Sequence, residues 1–184
     1  MLQWLQGLSQ YAVGTLDLPL LLRLQHAWQA ADHNAVAHWN AWLLAARETA
    51  ELRAEERHLG GALARVLGEL GIAEARQYGE VDAHHAAAFA TLFALAAVRW
   101  QIDPADALTG YLWTWSETQV LAAVKLVPLG QSAGQRLLSR LVDGMPGIIE
   151  RALALPEDAI GVGALGQALA SALHETQYSR LFRS

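Results

Sequence analysis

Helix-start and helix-stop signals recur along this chain, whereas the alternating apolar and polar pattern of a half-buried strand is absent. An aspartate shortly before a proline opens segments at Asp17–Pro19 and at Asp103–Pro104, as expected of an N-cap followed by proline in the first turn. Gly71 ends one long segment, and Gly144–Gly147 marks a break in another. The sequence therefore predicts an all-α, single-domain bundle of seven or more helices over residues 1–184.

Three of the predicted helices have bounds or features that the structure can test. The helix from about Glu48 to Leu70 contains Gly60 and Gly61, and each glycine costs about 1 kcal/mol relative to alanine, which predicts close packing or a break. A later helix is predicted over residues 82–100. The last is predicted over residues 168–182, so that residues 174–184 form a tail suited to docking on a partner.

Charge and composition exclude several classes of partner. The net charge is −5 and the basic residues are scattered, so no concentrated positive face for nucleic acid is expected. The apolar stretch at residues 86–98 is too short to span a membrane, and the stretch at 107–127 carries Glu117 and Lys125. The chain has no cysteine and no segment that reads as a signal peptide, and we expect a cytoplasmic protein.

No arrangement of residues indicates catalysis or a resident metal. His174-Glu175 lacks the second histidine of a zinc-protease motif, because Tyr178 stands at that position. The adjacent His84 and His85 point about 100° apart on a helix. The two glycines of 130–135 lack the Gly-Lys-Ser/Thr ending of a phosphate-binding loop. We therefore expect a non-enzymatic protein without cofactor or metal site.

Three other features have a structural and a functional interpretation each. Seven of the eleven residues of 47–57 are charged, which is typical of a solvated helix face or of a polar contact surface. Tyr111 and Trp115 share one helix face and Trp113 lies opposite, which favours a central helix or a contact with another chain. A helical tail would align His174, Tyr178, Leu181 and Phe182 in one stripe beside Arg180 and Arg183, the pattern of an end that docks in a groove, unless the terminus is frayed.

Four segments, in order along the chain, resemble the urease accessory protein F (UreF) family. His174–Ser184 reads as the closing signature of that family, and Asp17–Leu20, Arg47–Arg53 and Val124–Gln131 agree with it upstream. The resemblance covers nearly the whole chain. Family members usually begin with an additional segment, so the chain is interpreted as N-terminally shortened, and Val162–Leu165 replaces the usual serine and proline.

The resemblance implies an all-α homodimer without catalysis of its own. It implies a protein that bridges UreD (also called UreH) and the GTPase UreG during nickel delivery to apo-urease, that modulates GTP hydrolysis by UreG, and that helps to form a passage for nickel. By the same resemblance the tail contacts UreD, the aromatic helix makes the dimer contact, and the charged region with Lys125 couples to UreG. The residues concerned are Tyr178, Arg180, Leu181, Phe182 and Arg183 for UreD; Tyr111, Trp113 and Trp115 for the dimer; and Lys125, Glu117, Arg47 and Arg53 for UreG.

Two other classes of function stay open on the sequence. A small helical enzyme with a cryptic pocket requires a convergent acid, base or metal set. A free-standing nickel carrier requires clustered histidine or cysteine ligands.

Overall fold

The computed structural model describes residues 1–79, 86–127, 129–161 and 165–178, and all regular structure within these ranges is helical. This confirms the all-α prediction. A π-helical segment, Ser9–Asp17, and two short 3-10 helices, Ala73–Tyr78 and Glu157–Ala159, accompany the α-helices. The described residues form nine α-helices: α1 Leu2–Leu8, α2 Leu18–Gln29, α3 His33–Ala45, α4 Ala50–Glu69, α5 Phe89–Arg99, α6 Pro104–Leu126, α7 Gln131–Val142, α8 Met145–Ala154 and α9 Leu165–Glu175.

Helix α2 lies at the centre of the main core. Four of its five leucines are fully buried, and α2 packs against α3, α5, α6 and α8 together. A broad apolar face of this kind is stable only when several neighbouring helices cover it. Full burial of each leucine contributes about 1.5–3 kcal/mol, so α2 organises the bundle. These leucines are Leu18, Leu20, Leu21 and Leu24.

The Gly60–Gly61 pair marks close packing rather than a break. Helix α4 runs through both glycines without interruption, and both are buried. A Cβ atom added at Gly60 would lie 1.9 Å from the carbonyl oxygen of Ala87, so the backbone before α5 passes directly over this position. Only a residue without a side chain permits this approach, which explains a glycine inside a long helix.

Several predicted helix ends are confirmed. Helix α4 stops before Gly71, whose φ of +90° is a conformation that glycine adopts without strain. Helix α6 begins at Pro104 after Asp103. Helices α7 and α8 are separated at Asp143–Gly144, with Pro146 in the first turn of α8.

The predicted start at Asp17 is confirmed in position, since α2 begins at Leu18 with Asp17 before it and Pro19 in its first turn. It is not a free helix end, because α1, the π-helix and α2 follow one another without a break and the Asp17 carboxylate makes no capping hydrogen bond to α2. Another predicted start is wrong. Residues 86–88, predicted to be helical, precede α5 in non-helical backbone. The Asn40 side chain fixes them there by donating to the carbonyl of Ala86 and accepting from the amide of Ala88.

A smaller cluster lies apart from the main core. Leu5, Val120 and Leu141 are buried together and join α1, the second half of α6, and α7. Helix α6 thus belongs to the main core over its first half and to this cluster over its second. None of the helices in the described part of the chain has the length and apolar character needed to cross a bilayer.

Candidate functional site

A buried ion network joins the helices at the centre of the bundle. Arg47, in the loop between α3 and α4, donates through Nε to Glu56 Oε1 over 3.1 Å and through Nη1 to Asp17 Oδ2 over 3.4 Å. Its Nη2 atom contacts both carboxylates. The Tyr111 hydroxyl donates to Asp17 over 3.3 Å, and the backbone amide of Phe89 donates to Glu56 over 3.1 Å. The guanidinium and its two carboxylates thereby tie the π-helix, α4, α5 and α6 together.

Burial controls the protonation of this network. Removal from water raises the pKa of Glu56, and the adjacent Arg47 guanidinium opposes that shift in part. Burial disfavours the charged form of Arg47 as well, but the carboxylates of Asp17 and Glu56 raise its pKa, so it stays protonated. Burial, together with the negative charge of Asp17, raises the pKa of Tyr111 well above its ordinary value. The network is therefore a fixed cation between two carboxyl groups, with a neutral phenol as an additional donor.

A cavity of about 350 Å³ opens next to this network. The three charged members of the network form part of its wall, and the exposed side chains of Glu55 and Leu59 line it from α4. Three aromatic rings, Phe89, Tyr111 and Trp115, supply much of the apolar surface. The remaining lining residues are Ala12, Val13, Leu52, Thr114, Thr118, Gln119 and Gln167.

Helix α9 docks on the start of α4 through polar contacts. The hydroxyls of Ser171 and Thr49 are 2.7 Å apart, and the Glu175 carboxylate accepts from the amide of Glu51 over 3.0 Å. His174 Nδ1 lies 2.7 Å from Glu51 Oε2. No residue of α9 is buried, so little hydrophobic energy holds this helix in place.

The apolar face of α9 points to solvent. Leu165, Leu169 and Leu173 are four residues apart and therefore share one face, and they are 73%, 57% and 69% exposed. The spacing of these leucines is the signal in the sequence that would have identified this face. The helix ends at Glu175, so Tyr178 does not continue a helical stripe from His174 as predicted, and its side chain is fully exposed. The predicted residues Arg180, Leu181, Phe182 and Arg183 lie outside the described residues.

The aromatic residues of α6 divide between the core and the surface. Tyr111 is 6% exposed and packs against Phe89 and Phe93, and Trp115 is half-buried against the main core. Trp113 is 41% exposed, with Leu121 two turns further along the helix also exposed. The predicted division of the helix faces is thus found, but Tyr111 is a core residue without surface to offer a second chain.

The charged residues predicted to couple to a GTPase also differ in their exposure to solvent. Arg47 is mostly buried and its N–H groups are directed at Asp17 and Glu56, so it does not belong to an exposed charged face. Arg53 is half-buried and donates to the backbone carbonyl of Arg47 over 2.6 Å. Lys125 is exposed, and neither it nor Glu117 makes an ion pair within the described part of the chain.

The histidines and carboxylates do not gather into a metal site in the part of the chain that the structure describes. His84 and His85 lie outside that part. The only histidine in a recorded ion pair there is His174, which faces Glu51.

Comparison with known proteins decides the family. The UreF family model matches residues 1–142 of this chain. A urease accessory protein UreF from Alkalilimnicola ehrlichii is 52% identical over 98% of this chain and 78% of its own length. The chain belongs to the UreF family. UreF proteins from Alcanivorax borkumensis and Hahella chejuensis are 50% and 46% identical, each over 98% of this chain and 80% of their own length.

Membership in the UreF family confirms the resemblance drawn from the four sequence segments. Two of those segments, Asp17–Leu20 and Arg47–Arg53, meet in the structure through the pairing of Asp17 with Arg47. The named relatives are accessory proteins rather than enzymes, which also confirms the prediction of a non-enzymatic chain. In this UreF-family chain the ion network joins buried parts of several helices, and α6 and α9 each carry large apolar side chains that are exposed.

Proposed function

We propose that this chain is a nickel-insertion chaperone for urease, which bridges UreD and the GTPase UreG while nickel is delivered to apo-urease. In this proposal the chain also modulates GTP hydrolysis by UreG and acts in the cytoplasm. Nickel is cargo of the assembly rather than a resident ion of the chain. Family membership over 142 residues is the observation that carries the proposal.

The C-terminal region is proposed as the contact for UreD. Helix α9 supports this assignment because its leucine face is exposed while its polar face is held by Thr49 and Glu51. A helix that presents apolar residues at regular spacing suits an apolar groove on a partner. The tail continues this surface in sequence with Tyr178, Arg180, Leu181, Phe182 and Arg183.

Self-association is proposed through the exposed face of α6. Trp113 is the best-placed of the three predicted aromatic residues, and Leu121 extends the same face. Large aromatic side chains supply much of the energy of protein interfaces when they become buried. Trp115 contributes from the edge of this surface, whereas Tyr111 supports the helix from the core side.

Contact with UreG is proposed through Lys125, Glu117 and Arg53. Lys125 is exposed on a largely apolar stretch of α6, and Glu117 lies two turns before it. Arg47 acts indirectly in this proposal. Its backbone carbonyl accepts a hydrogen bond from the Arg53 side chain and so helps to position that side chain. Exposed charges of this kind steer association and set its specificity.

The proposal is tested by co-purification from a defined mixture. Tagged chain is incubated with purified UreD, UreG and apo-urease, and each complex is recovered and then assayed for urease activity after addition of nickel and GTP. We expect UreD and UreG to be recovered together with the chain, and urease activity to depend on all three. Failure to recover either protein, with a chain that is folded by circular dichroism, would contradict the bridging role.

A further inference from the structure

The wall of the cavity beside the ion network carries more carboxyl groups than cationic groups. Asp17, Glu55 and Glu56 place three carboxyl groups on it, and Arg47 is the only cationic side chain among its lining residues. Asp17 and Glu56 are both at least nine-tenths buried, so their charges are poorly screened by solvent. Glu55 makes no recorded hydrogen bond or ion pair within the described part of the chain.

The strongest donors of the cavity wall are already engaged. Arg47 makes four hydrogen bonds to Asp17 and Glu56, and the Tyr111 hydroxyl donates to Asp17. The hydroxyls of Thr114 and Thr118 donate to backbone carbonyls of α6 over 2.8 and 2.9 Å. These two hydroxyls therefore present only their acceptor lone pairs to a guest. Apart from the amides of Gln119 and Gln167, the polar groups left over are acceptors.

We propose that this cavity receives the guanidinium group of an arginine side chain from a partner protein. A guanidinium carries five donors and no acceptor, which complements the Glu55 carboxylate, the lone pairs of the two threonine hydroxyls and the excess of carboxyl groups over cationic groups on this wall. The rings of Trp115 and Phe89 offer flat surfaces for stacking, and the apolar lining accommodates the methylene groups of the side chain. A volume of about 350 Å³ lies at the lower end of the range for ligand pockets, which suits a single side chain.

The rim of the cavity favours a protein as the source of this arginine. Leu59 lines the cavity and is exposed, and Gln167 of the weakly held α9 lines it as well. A partner that inserted an arginine would cover Leu59 at the same time, whereas a free small cation would leave this apolar rim in water. The inference concerns the ligand chemistry of the cavity, and it does not depend on the roles proposed for the tail.

The chain of residues 1–184 is titrated with Nα-acetyl-arginine amide while the indole N–H signals of its tryptophans are followed by NMR. The Trp115→Phe variant identifies the Trp115 signal. We expect a saturable shift of that signal with the arginine analogue, and at least tenfold weaker binding of the uncharged citrulline analogue. Equal binding of the citrulline analogue, or binding of the corresponding lysine analogue that is as tight as that of arginine, would overturn the proposal.

Two variants of α4 separate a specific site from general attraction to an acidic protein. Glu55→Gln removes a carboxylate from the cavity wall and should weaken arginine binding about fivefold, the size expected of one partly screened ion pair. Glu69→Gln removes an exposed carboxylate of the same helix outside the cavity and should leave the affinity unchanged. Equal weakening by both variants would overturn the proposal. Binding that appears only after removal of residues 179–184 would assign the cavity to the chain's own tail instead of a partner.

Discussion

Replacement of Gly60 by alanine adds one methyl group to the face of α4 that packs on the segment before α5. The new Cβ atom would lie 1.9 Å from the oxygen and 2.8 Å from the carbon of the Ala87 carbonyl. This segment yields poorly, because Asn40 and Glu56 hydrogen-bond to it on both sides of Ala87. Overpacking costs up to about 3 kcal/mol, and the better helix propensity of alanine returns about 1 kcal/mol. The net loss is about 2 kcal/mol.

A loss of that size lowers the melting temperature of a chain of this length by about 4–8 °C. Thermal unfolding followed by circular dichroism measures the change. Gly68→Ala is the matched control on the same helix, since its Cβ atom would meet only the flexible side chain of Arg76 at 3.3 Å. We expect the control to melt at or slightly above the temperature of the parent chain. A Gly60→Ala variant that is as stable as its parent would refute the packing described for α4 and α5.

Four further substitutions test separate parts of the structure. Trp113→Asp should weaken a dimer seen by sedimentation with a small change in melting temperature, whereas Tyr111→Asp should unfold the chain because Tyr111 lies in the core; a strictly monomeric parent would contradict the dimer. Lys125→Ala should shift the melting temperature by about 2 °C or less, as exposed substitutions do, but reduce nickel-dependent activation of urease; a large loss of stability with normal activation would instead favour a structural ion pair. Burial raises the pKa of Glu56 above its unfolded value, so its protonated form favours folding, and this contribution is lost as pH rises. The unfolding free energy of the parent minus that of Glu56→Gln, from urea denaturation, should therefore fall as pH rises from about 4 towards neutrality; a difference that grows with pH would contradict the direction of the shift.

Local signals in the sequence were sufficient where a helix end depends on its own residues. Gly71 ends α4 because glycine alone adopts its positive φ without strain, and Pro104 begins α6 because proline suits a first turn. The glycine pair of α4 was also interpretable, since close packing was one of the two explanations available. Helix type and most helix ends were therefore predictable from the chain.

Contacts between distant residues were not predictable in the same way. The sequence around Asp17 indicates an N-cap, but the carboxylate pairs with Arg47, thirty residues away, and the helical backbone continues through it. Residues 86–88 are apolar enough for a helix, yet hydrogen bonds from Asn40 hold them in another conformation. A single sequence shows no sign of these pairings.

The candidate surfaces were predicted in part for the same reason. The face on which Trp113 lies follows from helix geometry alone, and the structure leaves it exposed. The burial of Tyr111 and Arg47 depends on Asp17, Glu56 and Phe89, which neighbour them only in the folded chain. Charge and aromaticity identified residues of consequence, but only the fold assigns them to the interior or to the surface.

Binding of UreD by the full chain and by a chain that lacks residues 177–184 tests the proposed role most directly. The deletion removes no residue of α9 and no contact between α9 and α4, so we expect its melting temperature to stay within a few degrees of the parent. It should nevertheless abolish co-purification with UreD and nickel-dependent activation of urease. Retention of UreD by the deletion variant would show that the tail is not the anchor, and unfolding of the variant would show that the tail belongs to the core.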